Sequence, residues 1–292
     1  MRRRFATLDV FTDRRFAGNP LAVVLEPQGL EGDAMQAIAR EFSHPETVFV
    51  FAPADPGHRA RLRIFTPARE LPFAGHPTVG TAVLLALSDR ASAGSDLVLE
   101  EGIGPVRCTL EAVSAGRGSA RFALPQLPTQ AGSAPDAAAV AAGLALSPGD
   151  IDGTPARWSA GNPLSFVPIR SLAAVARCRP DPVKFEAAFG ATGAAYVFCK
   201  ETAEPGHHFH ARMFAPGLGF AEDPATGSAA AAFAGLIAPQ LADGEHAIVI
   251  EQGYEMGRPS LMRVTAGVSG GRLNSAAIGG DAVVVTEGTL EA

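Results

Sequence analysis

Three short segments of this chain occur twice, in the same order and at nearly the same spacing. The pairs are Ala17–Leu21 and Ala160–Leu164 (AGNPL in both), Arg63–Pro67 and Arg212–Pro216 (RIFTP and RMFAP), and Val98–Gly102 and Val249–Gly253 (VLEEG and VIEQG). Their offsets of 143, 149 and 151 residues are about half of a chain of 292 residues. A duplicated unit of this length predicts two like domains, because a single domain usually has about 100–200 residues.

One segment reads as a linker between the two copies. Residues 125–135 (PQLPTQAGSAP) are rich in turn-forming residues. We therefore expect a first domain over residues 1–127 and a second over residues 128–292. Strand and helix patterns are mixed, with antiparallel-looking hairpins instead of regular βαβ alternation, which predicts an α+β fold and not a Rossmann fold.

Each copy contains a helix of small and apolar residues that should be buried on all sides. In the second copy, Asp223-Pro224 is predicted to start the helix, and the run Ala229–Ile237 leaves it no polar face. In the first copy, His76-Pro77 precedes the similar run Thr78–Leu87. We call the N-terminal end of each helix its mouth. The first N–H groups of a helix have no partner within it, so each mouth is a potential anion site.

Glu46 is the most informative carboxylate. It precedes the apolar strand Thr47–Phe51, and the matching position in the second copy holds Gly193 or Ala194. Burial among apolar side chains would raise the pKa of Glu46 toward the neutral range that a general base or acid requires. The alternative is a structural Glu at the edge of a strand, paired with a nearby Arg.

His76 and Asp223 occupy matching positions, each directly before the proline that opens its helix. A positive helix end favours the neutral form of His76, which would make it a hydrogen-bond donor or a proton relay. Both residues could instead be simple N-terminal caps. Gly75, Gly227 and Ser228 would supply donors for a substrate carboxylate or a developing enolate, in a cleft between the two domains.

Composition and missing motifs argue against several classes of protein. A net charge of −6 argues against a nucleic-acid partner, and no apolar run approaches the length of a membrane span. Residues 1–9 lack the apolar core of a secretory signal, so we expect a cytoplasmic protein. Phosphate-loop, dinucleotide-binding and nucleophile-elbow motifs are absent, and no cofactor is expected.

The cysteines and histidines do not predict a metal site. Cys108, Cys178 and Cys199 lie far apart without a C-x-x-C pattern, and we interpret them as small core residues. His208 and His210 share one face of a strand, which would allow metal binding. We interpret them as solvated side chains.

Six motifs fall in order along nearly the whole chain: Asp9–Phe11, Phe16–Pro20, Glu46–Phe49, Arg63–Pro67, Phe73–Thr78 and Glu222–Ser228. Together they resemble the PhzF-like proteins of phenazine biosynthesis, which are related in fold to diaminopimelate epimerase. The resemblance implies two pseudo-symmetric domains, each a curved mixed sheet wrapped around a central helix, with the site in the cleft between them. It also implies a closing strand at residues 281–292 that returns to the first domain, and a homodimer.

The resemblance also implies roles for residues. In the phenazine enzyme, a Glu matching Glu46 moves a proton between carbons of dihydro-3-hydroxyanthranilate without a cofactor. Residues matching Gly75, His76, Asp223 and Ser228 surround that substrate.

The leading hypothesis is a cofactor-independent isomerase of a small carboxylate substrate, with Glu46 as general base and acid. A second hypothesis is an epimerase that uses Glu46 with His76 or Asp223 as the opposite base. The epimerase relatives use two cysteines, close to where this chain has Ala74 and Pro224, so the resemblance does not extend to a two-cysteine racemase mechanism. The third hypothesis is a non-catalytic protein that binds a small carboxylate.

Overall fold

A computed structural model describes residues 1–218 and 220–292 of the chain. The chain divides into two compact units, of which the first contains Met1–Pro125 with Gly279–Ala292 and the second contains Gln126–Ile278. The last strand, Arg272–Glu291, contributes residues to both units. Each unit combines helices with a mixed sheet, so the predicted α+β class is confirmed.

The first unit is built on a mixed sheet. Its elements are β1 (Arg2–Val10), β2 (Asn19–Leu25), α1 (Gly32–Phe42), β3 (Glu46–Phe51), β4 (Ala60–Phe65), β5 (Glu70–Leu71), α2 (Gly75–Asp89), β6 (Asp96–Glu101), β7 (Gly104–Ser114) and β8 (Arg117–Ala123). Strand β2 runs parallel to β3 and antiparallel to β1. Strands β6, β7 and β8 form an antiparallel meander.

Helix α2 lies in the core of the first unit. All residues from Gly75 to Ala86 are buried, and the helix contacts β1, β2, β7 and β8. Burying each large apolar side chain, such as Leu84 or Leu85, contributes about 1.5–3 kcal/mol. Helix α1 is amphipathic instead: it buries only Met35 and Ala39, against a cluster on β2, β3 and β4. The small-residue pattern of α2 therefore predicted its enclosure correctly.

The second unit follows the same plan. Its elements are β9 (Thr129–Gln130), α3 (Ala137–Gly143), β10 (Ala156–Ser159), β11 (Pro163–Pro168), α4 (Leu172–Arg177), α5 (Pro182–Phe189), β12 (Ala195–Cys199), β13 (Phe209–Ala215), β14 (Phe220–Asp223), α6 (Gly227–Ile237), β15 (Gly244–Gln252) and β16 (Ser260–Ser269), followed by β17 (Arg272–Glu291). Helix α6 is almost wholly buried and contacts β9, β10, β11 and β16.

The parallel strand pair has the same register in both units. Directly after each AGNPL segment, Ala22 pairs with Thr47 of β3, and Ser165 pairs with Ala195 of β12. The residue before Thr47 is the acid Glu46, and the residue before Ala195 is an alanine. The backbone position of Glu46 thus has a counterpart without a carboxyl group.

Both central helices begin at a different residue from the one predicted. Helix α6 begins at Gly227 with Thr226 as N-cap, so the prediction that Asp223 caps a helix opened by Pro224 is wrong. Helix α2 begins at Gly75 with Ala74 as N-cap, two residues before Pro77. His76 therefore lies in the first turn, where it is not a cap.

The three cysteines are free and buried, in agreement with their interpretation as core residues. Burial raises the pKa of Cys178 and of Cys199 to about 12, so both thiols stay protonated. Among the described helices, none combines the length and the apolar character that a membrane span requires.

Candidate active site

The structure brings Glu46 and His76 into contact. Glu46 begins β3, and His76 is the second residue of α2. Oε2 of Glu46 lies 3.3 Å from Nε2 of His76, and their side chains are 16% and 6% exposed. The acid therefore meets the mouth of α2, which is one part of the arrangement predicted from the sequence.

The imidazole of His76 is neutral. Burial, with a smaller contribution from the nearby His44, lowers its pKa to about 3 against the raising effect of a hydrogen bond to the backbone of Pro20. Because a proline backbone offers only a carbonyl acceptor, the imidazole donates its N–H to Pro20. The nitrogen that faces Glu46 then carries a lone pair, so a proton on Glu46 can be shared between the two side chains.

The mouth of α2 also offers backbone donors. The N-cap Ala74 places no side chain over the first turn, and Gly75 and His76 are both buried. Their N–H groups lie in the first turn, where the helix supplies no acceptor and the dipole favours an anion. A substrate carboxylate or an enolate oxygen matches this environment.

A second buried acid lies at the same mouth. Glu101 ends β6 and is 7% exposed, and its Oε1 lies 2.7 Å from the Thr78 hydroxyl in the first turn of α2. Burial raises the pKa of Glu101 to about 8. The sequence analysis did not single out this residue.

In the second unit, a buried glutamine holds Asp223 and the start of α6 together. The amide nitrogen of Gln252 donates to the carbonyl of Asp223 at 2.7 Å and to the Thr226 hydroxyl at 3.0 Å, and its oxygen accepts from the Thr226 N–H at 3.3 Å. The Thr226 hydroxyl also lies 2.5 Å from Oδ2 of Asp223. This network holds Pro224 and Ala225 outside the helix, which explains why α6 begins at Gly227 and not at Pro224.

The predicted donors of the second mouth need one correction. A helix opened by Pro224 would have left the Thr226 N–H free for an anion, but this N–H is bonded to Gln252. Helix α6 begins at Gly227, so the N–H groups of Gly227 and Ser228 belong to its first turn. Asp223 ends β14 at this mouth and does not cap the helix.

His208 is exposed, as interpreted, but His210 is buried, so the interpretation as a solvated side chain is wrong for His210. His210 is buried between Glu251 and Glu255, and His207 contacts Glu251. The two carboxylates raise the pKa of His210 against the effect of burial. Among the described residues, no group of three or more His, Cys, Asp or Glu side chains is arranged so that it could hold a metal ion.

Comparison with known proteins identifies the family. The family model for phenazine biosynthesis-like proteins (PhzC-PhzF) matches residues 8–288. An uncharacterized isomerase of Mesorhizobium japonicum is 49% identical to this chain, covering 99% of it and 98% of the relative. A trans-2,3-dihydro-3-hydroxyanthranilate isomerase of Pseudomonas aeruginosa is 37% identical and covers 98% of both chains. The chain belongs to the phenazine biosynthesis-like family.

The fold agrees with this membership in the phenazine biosynthesis-like family. The crystal structure of a PhzF-family phenazine biosynthesis protein of Bacillus anthracis superposes with a TM-score of 0.90 at 26% identity and covers all of both chains. The family resemblance inferred from the motifs is thus confirmed. The named relatives are isomerases, and this chain is an enzyme of that class.

Sequence reasoning missed three residues of this phenazine biosynthesis-like protein: Glu101, Thr226 and Gln252. Glu101 and Gln252 stand at the same place in the repeated segments VLEEG and VIEQG. The repeat was therefore a signal for both. In each segment the residue before the final glycine has a polar side chain that contacts the start of a central helix, which the duplication by itself does not reveal.

Proposed function

We propose that this protein is a cofactor-independent isomerase in which Glu46 moves a proton between two carbons of a small carboxylate substrate. The observation that carries the proposal is the contact of 3.3 Å between Glu46 and a neutral His76 at the mouth of a buried helix. A partly buried carboxyl group beside neutral hydrogen-bonding groups suits proton transfer at carbon. As the first candidate substrate we propose trans-2,3-dihydro-3-hydroxyanthranilate, on which the Pseudomonas relative is named to act.

The reaction needs one proton and no redox partner. The Glu46 carboxylate takes a proton from a carbon activated by a neighbouring unsaturated or carboxyl-bearing centre, and the electron pair of the broken C–H bond delocalises into that centre. The protonated Glu46 then returns the proton to a different carbon, so substrate and product are isomers. The lone pair of His76 orients the Glu46 proton, and the first N–H groups of α2 stabilise negative charge on the substrate.

Residues of the second mouth serve substrate binding in this proposal. Asp223 would accept from an amino or hydroxyl group of the substrate, and the N–H groups of Gly227 and Ser228 would hold its carboxylate. The fixed geometry around Gln252 supports such a role, because a preorganised polar group loses less entropy on binding. Weaker substrate binding by D223N, with the fold retained, is the expected result.

The contact geometry argues against one alternative. An epimerase needs two bases on opposite faces of one carbon, and Glu46 and His76 are too close together to have a carbon between them. An epimerase that pairs Glu46 with Asp223 would change optical rotation without changing connectivity. A binding protein would show saturable binding of the carboxylate without turnover.

The test of the proposal compares E46Q with wild type. Removing the proton carrier should lower kcat by about 10²–10⁴-fold while substrate binding, measured by calorimetry, stays similar. The control is E41Q, which changes an exposed side chain on α1 and should keep wild-type turnover. An E46Q enzyme with full activity would refute the role of Glu46, and binding without turnover in wild type would favour the binding protein.

The family resemblance also suggests a homodimer, and we propose this oligomeric state on that ground. We propose a cytoplasmic location because no apolar run in the sequence approaches the length of a membrane span. Sedimentation of the purified protein measures the oligomeric state. A monomer over the working concentration range would contradict it.

A further inference from the structure

Glu101 is a buried carboxyl group that the proposed mechanism does not use. Its Oε1 contacts the Thr78 hydroxyl at 2.7 Å. Within the described part of the chain, its Oε2 is buried without a hydrogen-bond partner. A charged carboxylate that is buried with one oxygen lacking a hydrogen bond would destabilise the folded protein. A neutral carboxyl group leaves only an uncharged carbonyl oxygen unpaired.

The hydrogen bonds of Thr78 require a proton on Glu101. The Thr78 hydroxyl also lies 2.8 Å from the carbonyl oxygen of Ala74. A carbonyl only accepts and a hydroxyl has one proton, so a Thr78 that donates to Ala74 can only accept from Glu101. Both contacts form together when Glu101 donates through Oε1. The Ala74 carbonyl, at the N-cap of α2, also receives the Thr78 N–H at 3.2 Å.

The neighbouring acid in the sequence has the opposite environment. Glu100 accepts backbone N–H groups from Ala54 and Asp55, which lower its pKa to about 2. Burial raises the pKa of Glu101 to about 8, against the lowering effect of its hydrogen-bond contact with Thr78. Successive side chains of a strand point to opposite faces, so two adjacent glutamates have different protonation states.

Other charged or titratable groups near Glu101 have partners of their own. Arg61, Arg63 and Glu70 line the same surface groove as Glu101. Arg63 donates to both oxygens of Glu70 at 2.7 Å. Arg61 lies over an aromatic ring of β3, and burial keeps the thiol of Cys108 on β7 protonated by raising its pKa. On α2 the facing groups are the Thr78 hydroxyl and the neutral imidazole of His76.

The second unit has a neutral amide at the matching position. Gln252 occupies in VIEQG the place that Glu101 occupies in VLEEG. Its amide nitrogen donates to the Thr226 hydroxyl at 3.0 Å, next to the start of α6. A protonated carboxyl group has the shape of a carboxamide and can donate one hydrogen bond in the same way. In both units a neutral donor from a strand therefore contacts a threonine at a helix mouth.

We propose that Glu101 is a positioning residue that, in its protonated form, holds Thr78 on the Ala74 carbonyl and thereby fixes the turn that carries Gly75 and His76 against Glu46. This inference rests on the proposed function. Ionised Glu101 takes the Thr78 proton for itself, the Ala74 carbonyl loses one of its two donors, and the first turn of α2 loosens. Proton transfer by Glu46 then fails at alkaline pH because the turn that carries Gly75 and His76 has loosened, and not because Glu46 itself changes its protonation state.

The first test is the pH profile of kcat for wild type, E101Q and E100Q. Wild type should lose activity as the pH rises through about 8, by roughly tenfold per pH unit. Because the carboxamide of E101Q is a permanent neutral donor, this variant should keep activity at neutral pH and lose the alkaline decline. E100Q, at the adjacent residue, should retain the decline. An E101Q enzyme with an unchanged alkaline decline would overturn the proposal.

The second test does not depend on turnover. The imidazole of His76, assigned in NMR spectra by comparison with H76Q, should show a chemical-shift change with a midpoint near pH 8 in wild type and none in E101Q. If this step appears while no candidate substrate turns over, the positioning role stands and the proposed function fails. A His76 signal that does not change in this range in wild type would overturn the positioning role, whatever the activity.

Discussion

At the residue scale, burial decides the chemistry of His76. A histidine at a helix mouth is easily taken for a cap when only the sequence is available. The structure places it inside the first turn, where burial keeps the imidazole neutral and its N–H bonds to the Pro20 backbone. The same burial disfavours the protonated form of His76 in the folded protein, so the free energy of unfolding should depend on pH.

His76 should make the fold sensitive to acid. Its pKa is about 3 in the folded protein and near 6.5 in an unfolded chain, so between these values only the unfolded state binds the proton. The contribution of the neutral imidazole to the free energy of unfolding is fully present above the pKa of His76 in the unfolded chain. It is lost as the pH falls toward the pKa of His76 in the folded protein. From pH 7 to pH 5 the free energy of unfolding should fall by about 2 kcal/mol more in wild type than in H76Q.

Urea unfolding at the two pH values measures this difference. H208Q is the control, because His208 is exposed on the surface, and it should behave as wild type does. Equal acid sensitivity of wild type and H76Q would contradict a buried neutral imidazole.

At the element scale, the start of α6 is set by a residue that is distant in sequence. Asp-Pro is a strong helix-start signal, and it predicted a start at Pro224. The amide of Gln252 instead bonds the Asp223 carbonyl and the Thr226 N–H, so the helix begins at Gly227. Local sequence cannot show such a contact, because the two partners are more than twenty residues apart along the chain.

Replacing Gln252 should therefore weaken the second unit. In Q252L the Asp223 carbonyl and the Thr226 N–H lose their partner, and each unpaired group costs about 1–3 kcal/mol when it is out of reach of water. Urea unfolding of Q252L should show a loss in this range. The matched control Q240L changes an exposed glutamine and should stay within about 0.5 kcal/mol of wild type. Equal stability of the two variants would contradict the role of Gln252.

At the scale of the whole molecule, the sequence pattern predicted part of the architecture. The burial of both central helices follows from their small-residue runs, and the α+β class follows from the mixed strand and helix patterns. The parallel pairing of strands in each unit was not predicted. The duplication also has a structural basis that the sequence did not show. Glu100 accepts N–H groups from the loop at 54–55 and contacts His58, and Glu251 does the same for the loop at 203–204 and His207.

The repeat could not predict which acids matter for function. Glu46 was recognisable as a candidate because its counterpart is an alanine. Glu100 and Glu101 look alike in the sequence, yet one is a charged anchor of a loop and the other is a buried neutral acid. Protonation depends on desolvation and on hydrogen bonds from distant residues, so it follows from the folded structure alone.

The most direct test of the central claim is the fate of one proton. Wild-type enzyme and E46Q are incubated with trans-2,3-dihydro-3-hydroxyanthranilate in deuterated water, and the product is examined by NMR. If Glu46 carries the proton between carbons and its carboxyl proton exchanges with the solvent between the two steps, wild type should place deuterium on a product carbon, whereas E46Q should form almost no product, labelled or unlabelled. Product formed by E46Q at the wild-type rate would contradict the role of Glu46.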